Sequence, residues 1–316
     1  MGTVSLLRSV VDMIEVSHLT KRHGASIAVD DVSFTVAPGT VTGFLGPNGA
    51  GKSTTMRIIV GLDRPTSGTV TINGNRYANS PAPLQEVGAL LDAGAVHPGR
   101  SARNHLRTVA RTHGIPDRRV DEVIGLTGLE SVAHRRSGKF SLGMGQRLGI
   151  ATALLGDPGT LVLDEPVNGL DPEGVIWVRQ LCRSLAAEGR AVLLSSHLMS
   201  EMAQTADRLV VLGRGRVIAD ESIADVLARA GGDRVAVKTN AAERLEELLR
   251  PLGGTVTHVA IDRVEVVGLS PEQIAGAAAP AGVMIFELVP VQASLEDAFF
   301  GLTDDSVEYR AGSARR

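Results

Sequence analysis

From residue 13 onward, apolar and polar positions alternate with a period of two. MIEVSHL (13–19) and IAVDDVSFTV (27–36) predict two strands joined by a polar turn at KRHG (21–24). APGT (37–40) is a turn signal, and the short, mostly apolar run VTGFLG (41–46) predicts a short buried strand. A glycine-rich loop comes next, then a helix over TTMRIIVGL (54–62). Short strands at GTVTING (68–74) and VGALL (87–91) are punctuated by glycine and proline. Between about residues 92 and 156 the apolar spacing changes to three and four. HPGRSARNHLRTVARTHG (97–114), DRRVDEVIGLTGL (117–129) and GMGQRLGIATALLG (143–156) therefore predict helices. Strands return at TLVLD (160–164), AVLLSS (191–196) and DRLVVL (207–212), with helical stretches between them. Such alternation predicts an α/β fold, a parallel sheet covered by helices. A hairpin at GRGRVIAD (213–220) and a helix at ESIADVLARA (221–230) close this unit.

GGDR (231–234) reads as a domain boundary. Beyond it the pattern is strand (VAVKT), helix (AAERLEELLRPLG), two strands (TVTHVAI, RVEVVGL), helix (PEQIAGAAA) and strand (VMIFELV), followed by a last helix, SLEDAFFGLT. The β-α-β-β-α-β order predicts a small α+β accessory domain of the split βαβ kind over residues 231–305. Residues 1–12 read as an N-terminal extension, 13–230 as the main domain with a helical subdomain at about 93–156, and 306–316 as a frayed tail.

Composition narrows the partners. The 316 residues carry a net charge of −3, so there is no overall pull toward nucleic acid or anionic lipid. Only four of the 32 basic residues are lysines (Lys21, Lys52, Lys139 and Lys238), which makes each one informative. The single cysteine, Cys182, reads as a small buried hydrophobe and fits a reducing cytosol. The best membrane-span candidate, IAGAAAPAGVMIF (274–286), is interrupted by Pro280 and falls short of the roughly 20 residues a spanning helix needs.

GPNGAGKS (46–53) matches G-x-x-x-x-G-K-[ST] and stands between a predicted strand and a predicted helix, where a phosphate loop must stand. Gly46, Pro47, Asn48, Gly49, Ala50 and Gly51 supply backbone that can wrap phosphates, and Lys52, Ser53 and Thr54 open the helix whose positive end faces an anion. Lys52 is placed to reach the β- and γ-phosphates of ATP, and the Ser53 hydroxyl to ligate Mg2+. LVLDEP (161–166) is an apolar strand ending in two carboxylates. Beside a phosphate loop, Asp164 can hold magnesium and Glu165 can act as general base toward the attacking water.

Four segments in order carry a resemblance to the ATP-binding-cassette (ABC) transporter ATPases: the phosphate loop, LVLDEP, NGLDP (168–172) and Ser196–His197 after AVLLS. FSLGMGQRLGIATALLGDP (140–158) is similar to the family's signature segment in the form found in antibiotic exporters, with Leu142 and Met144 in place of the commoner Gly and Gln. The resemblance covers about residues 13–222, and SLEDAFFGLT (294–303) extends it to the C-terminal domain of drug-export ATPases. It implies a P-loop fold of mixed sheet plus helical subdomain. It also implies that His197 contacts the γ-phosphate and that NGLDP crosses a dimer interface. Ser141 and Gly143 would then meet the nucleotide held by a second copy. His23 stands where the family stacks an aromatic ring on adenine, and Asp92 where it carries a glutamine that approaches magnesium. The resemblance further implies a homodimer sharing two MgATP molecules on the cytoplasmic face of the membrane, driving a separate membrane-spanning permease. Export is favoured over import by the signature and the C-terminal domain. A soluble cassette ATPase acting on ribosomes or DNA fits less well, because the chain has one cassette and no basic stretch.

Overall fold

The structure, a computed structural model, describes residues 13–231 and 234–291 together with Leu295, Glu296 and Phe299. The N-terminal extension, the tail and the rest of SLEDAFFGLT lie outside the described residues. The first strands are longer than the sequence predicts. β1 (Ile14–His23) and β2 (Ser26–Val36) pair antiparallel from Ile14 opposite Val36 to His23 opposite Ser26. The turn expected at KRHG is thus corrected to Gly24 and Ala25. Register shifts after Val16, Leu19 and Lys21 let exposed polar residues stay in the ladder, while Ile14, Val16, Leu19, Val29, Val32 and Phe34 remain buried.

β3 (Val41–Leu45), buried at all five positions, leads through the glycine loop to α1 (Lys52–Ile59). β4 (Ser67–Ile72) completes a three-stranded antiparallel sheet, β2-β1-β4. A one-turn helix α2 (Pro83–Glu86) precedes β5 (Val87–Leu90). Three helices follow, α3 (Ala102–Thr112), α4 (Asp117–Leu126) and α5 (Leu142–Leu154), with Ser101 and Ser141 capping α3 and α5 through their side-chain oxygens. The chain then runs through β6 (Thr160–Leu163), α6 (Pro172–Ala187), β7 (Ala191–Ser195), α7 (Met199–Thr205), β8 (Arg208–Gly213) and β9 (Arg216–Ser222). These strands form a six-stranded sheet in the order β5-β6-β7-β3-β8-β9, parallel except for β9. β6, β7 and β3 are neighbours at its centre. Their carboxyl ends open on one side, the edge where an α/β sheet binds ligands. On α6, Cys182 is fully buried, and burial pushes its thiol up to about 12.

The described residues divide into two compact units, one ending at Ile223 and the other beginning at Ala224. After α8 (Ile223–Gly231), the second unit contains β10 (Arg234–Thr239), α9 (Ala242–Leu249), β11 (Thr255–Ala260), β12 (Arg263–Val267), α10 (Pro271–Ala278) and β13 (Ile285–Pro290). Its sheet is antiparallel throughout, in the order β11-β12-β10-β13, as a split βαβ arrangement requires. Leu245, Leu249 and Ile274 of the helices share one core with Val235, Val237, Val264 and Val266. Among the described residues no helix is long and apolar enough to cross a membrane.

Glycine is required where β5 passes the end of α5. A Cβ on Gly88 would lie 2.1 Å from the carbonyl oxygen of Ala153, whereas one on Gly276 of α10 would meet nothing within 4 Å. Gly88→Ala should lower unfolding free energy by about 1–3 kcal/mol. Gly276→Ala should raise it by about 1 kcal/mol, since alanine is the better helix former. Denaturant titration of both variants against the parent checks the pair.

Candidate functional site

The phosphate loop keeps its shape because two glycines stand where no side chain fits. Gly46 (φ 153°) and Gly51 (φ 100°) have left-sided backbones, and a Cβ on either would lie 2.5 Å from a carbonyl oxygen, that of Leu212 or of Ala28. The loop ends on the first turn of α1, leaving Asn48 and Gly49 exposed, Gly46, Pro47 and Thr54 half-buried and Ala50 buried. Lys52 folds back over the loop, its Nζ donating to the carbonyl oxygens of Gly46 at 2.6 Å and Pro47 at 3.2 Å. Burial lowers its pKa from the ordinary lysine value, against the opposing pull of Glu165 and Asp164. The cradle therefore holds a desolvated cation with loop amides around it, an arrangement that an anion would relieve.

Asp164 stands at the end of β6 between two hydroxyls. Ser53 donates to its Oδ2 at 2.9 Å, and Ser195, at the end of β7, donates to Oδ1 at 2.5 Å. Ser195 is fully buried and its oxygen also accepts the backbone N–H of Glu165 at 2.9 Å. Glu165 itself has φ +49°, a left-handed conformation that bulky residues seldom adopt. Its Oε2 lies 2.7 Å from Nδ1 of His197 and 3.3 Å from that residue's backbone nitrogen. Glu165 and His197 thus meet in one chain, the carboxylate half-buried and the imidazole exposed.

Asp92 lies on the wall of a cavity of about 660 Å³ that Ser53 and Asp164 also line, and its Oδ1 accepts the N–H of Gly94 at 2.7 Å. A magnesium ion usually takes one or two carboxylates and completes its shell with phosphate oxygens and water. The adjacent Ser53 hydroxyl and Asp164 carboxylate fit that habit. Among the described residues no group of three or more His, Cys, Asp or Glu side chains forms an all-protein cage.

Two sequence expectations fall elsewhere in the unit. His23 ends β1 at an exposed hairpin tip. Ser141 is exposed at the start of α5, where its oxygen accepts the N–H of Met144 at 3.2 Å. Among the described residues neither Ser141 nor Gly143 hydrogen-bonds the chain's own phosphate loop. Two participants escaped the sequence reading, Ser195 and Gln146. Gln146 is buried on α5 and donates through Nε2 to the carbonyl oxygen of Glu165 at 2.6 Å. The signals were there: a hydroxyl at the end of an apolar strand, and a lone amide inside an apolar helix face.

A strand, a glycine loop and a helix opening on a half-buried lysine, with paired carboxylates at the end of a strand one place removed in the same sheet, define a P-loop nucleoside triphosphatase. Comparison with known proteins narrows the class. The ABC transporter family profile matches residues 29–168, and a domain of unknown function matches residues 233–296. The uncharacterized ABC transporter ATP-binding protein YhcH of Bacillus subtilis is 36% identical over 306 residues, covering 94% of this chain and 97% of that protein. The bacitracin transport ATP-binding protein BcrA of Bacillus licheniformis is 41% identical over 209 residues, covering 65% and 68%. MJ0796, a bacterial ABC transporter cassette solved as a dimer, superposes with a TM-score of 0.62 at 24% identity over 66% of this chain and 98% of that one. The chain belongs to the ABC transporter ATP-binding proteins. It is a nucleotide-binding ATPase of that family.

Removing the Ser195 hydroxyl leaves Asp164 with one donor fewer and the Glu165 amide unpaired. Ser195→Ala should reduce magnesium-dependent ATP turnover by about 10–100-fold, the usual cost of losing a partner that orients a metal ligand. Ser195→Thr should retain much more; magnesium titrations of steady-state turnover compare the two. Lys52 gives a pH test. Because its folded pKa is depressed, the folded chain binds this proton less tightly than the unfolded chain. Lysine 52 therefore weakens the empty protein most at low and neutral pH, and that handicap fades as pH rises toward 10.5, the ordinary lysine value. The stability advantage of Lys52→Met over the parent, without nucleotide, should shrink over the same rise when melts are run across pH.

Proposed function

We propose that two copies of this chain clamp MgATP between the phosphate loop of one and the signature turn, Ser141 and Gly143, of the other. Hydrolysis there would drive a separate membrane permease that exports drugs, antibiotics or lipid-like molecules from the cytoplasmic side. One observation carries the chemistry: Glu165 and His197 share an oxygen-to-nitrogen contact of 2.7 Å beside the Asp164–Ser53 pair. The exposed Ser141 turn supports the dimer, being a helix N-terminus suited to an anion and unused by its own chain's phosphate loop. The likeness to a bacitracin transport protein supports export.

Lys52 turns its ammonium from the loop carbonyls to the β- and γ-phosphates, while loop amides take the remaining phosphate oxygens. His23 offers its imidazole to the adenine. Ser53 and Asp164 would hold magnesium, with Asp92 on the wall of the same cavity, and the ion would supply neutralisation of charge on the phosphate oxygens. Glu165 orients a water and accepts its proton as the water oxygen bonds to the γ-phosphorus. The bond from that phosphorus to the bridging oxygen breaks, and ADP keeps the electron pair. His197 steadies the Glu165 carboxylate and reaches the γ-phosphate. Loss of that phosphate removes the bridge between the two copies and lets them separate.

Glu165→Gln keeps the shape of the base but cannot take the proton. It should bind MgATP and form a stable dimer in light scattering, with turnover reduced by about 100-fold or more. Turnover at the parent rate, or a particle that stays monomeric with saturating MgATP, would refute the assignment.

A further inference from the structure

Among the described residues Gln146 is the only buried side chain that carries an amide. It lies in the second turn of α5, the helix that Ser141 caps, and its Nε2–H donates to the Glu165 carbonyl at 2.6 Å. The same carbonyl accepts the N–H of Asn168 at 3.1 Å, and on the other side of the residue the Glu165 N–H is held by Ser195 at 2.9 Å. The left-handed backbone of Glu165 is therefore gripped at both of its polar groups, one grip coming from the signature helix. The first turn of α5 also packs tightly on the loop after Glu165. A Cβ on Gly169 would lie 2.2 Å from Cδ2 of Leu142, and one on Gly143 would lie 3.0 Å from the carbonyl oxygen of Gly169. A shift of the Ser141 turn cannot leave this loop where it is.

We infer that Gln146 is a positioning residue that ties the placement of the signature turn to the placement of the general base. The inference rests on the proposed dimer, in which Ser141 meets the nucleotide of the second copy while Glu165 acts on the nucleotide of its own. Engagement of one nucleotide then sets the base that attacks the other, through a helical turn and a single amide. An amide suits the task because it adds a second donor to that carbonyl from inside an apolar helix face, where a buried side-chain N–H must find a partner.

The test uses the full chain with MgATP, reading kcat and KM in steady state and dimer formation by light scattering. Gln146→Met, similar in length but without a donor, should lower kcat by about ten-fold or more with KM changed less than about two-fold, as expected when a reacting group is misplaced but binding is not. In a Glu165→Gln background the same change should lower the residual rate by less than about two-fold, since a residue acting through Glu165 has nothing left to position. Gln146→Glu, which holds its place in the core by shape, donates only when protonated, so its kcat relative to the parent at the same pH should recover as pH falls. An unchanged kcat in Gln146→Met overturns the inference. So does an equal ten-fold loss in the Glu165→Gln background, or a Gln146→Glu ratio that stays flat with pH. Absence of turnover in the parent would bring down the proposed function and this inference with it; a normal parent with any of those three results brings down this inference alone.

Discussion

The catalytic edge depends on the shared carboxylate of Asp164. Two hydroxyls converge on it from separate elements, Ser53 from α1 and Ser195 from β7, and tie the end of β6 to the phosphate loop on one side and to the histidine strand on the other. Oxygen-to-oxygen hydrogen bonds to a carboxylate are short and strong, and the one from Ser195 comes from a fully buried hydroxyl. Because the Ser195 oxygen also receives the Glu165 N–H, the Asp164 carboxylate and the Glu165 backbone share one support. Parallel strands β6, β7 and β3 bring these three chain segments side by side, although long stretches of sequence separate them.

Around that support the charges are arranged for a guest. The Lys52 ammonium is partly stripped of water and makes do with loop carbonyls, while two carboxylates face it across the site. Among the described residues the Lys52 ammonium hydrogen-bonds carbonyl oxygens and neither carboxylate. A bound polyphosphate would answer the charge of the lysine. The free protein tolerates this imbalance because the loop backbone is fixed by the buried β3 on one side and α1 on the other. Functional sites commonly give up stability in this way.

Most of the architecture was legible from the chain. Mostly apolar stretches without period-two alternation mark β3, β6 and β7, since strands buried on both faces leave no room for alternation. The phosphate loop and the Asp164–Glu165 pair could be read because their chemistry demands particular residues at adjacent positions. The reading failed where structure decides against local preference. Lys21, Arg22 and His23 resemble a turn, yet β-bulges carry them on in the ladder. Ser195 and Gln146 were passed over because their importance comes from what other segments bring to them. A serine at the end of a hydrophobic strand has no meaning until Asp164 and the Glu165 amide arrive beside it. The order of the sheet, with β3 between β7 and β8, likewise comes from long-range packing that no local window contains.

The burial of Cys182 has a practical side. Only the thiolate reacts with alkylating reagents and disulfides, and a thiol held near 12 inside α6 supplies almost none of it at neutral pH. As the chain has no other sulfhydryl, a cysteine introduced at any exposed position would be the sole reactive sulfur in the molecule. Spin labels or fluorophores could then be attached one site at a time without first rebuilding the core, so that distance measurements on a nearly native protein can show whether two copies meet and part during turnover.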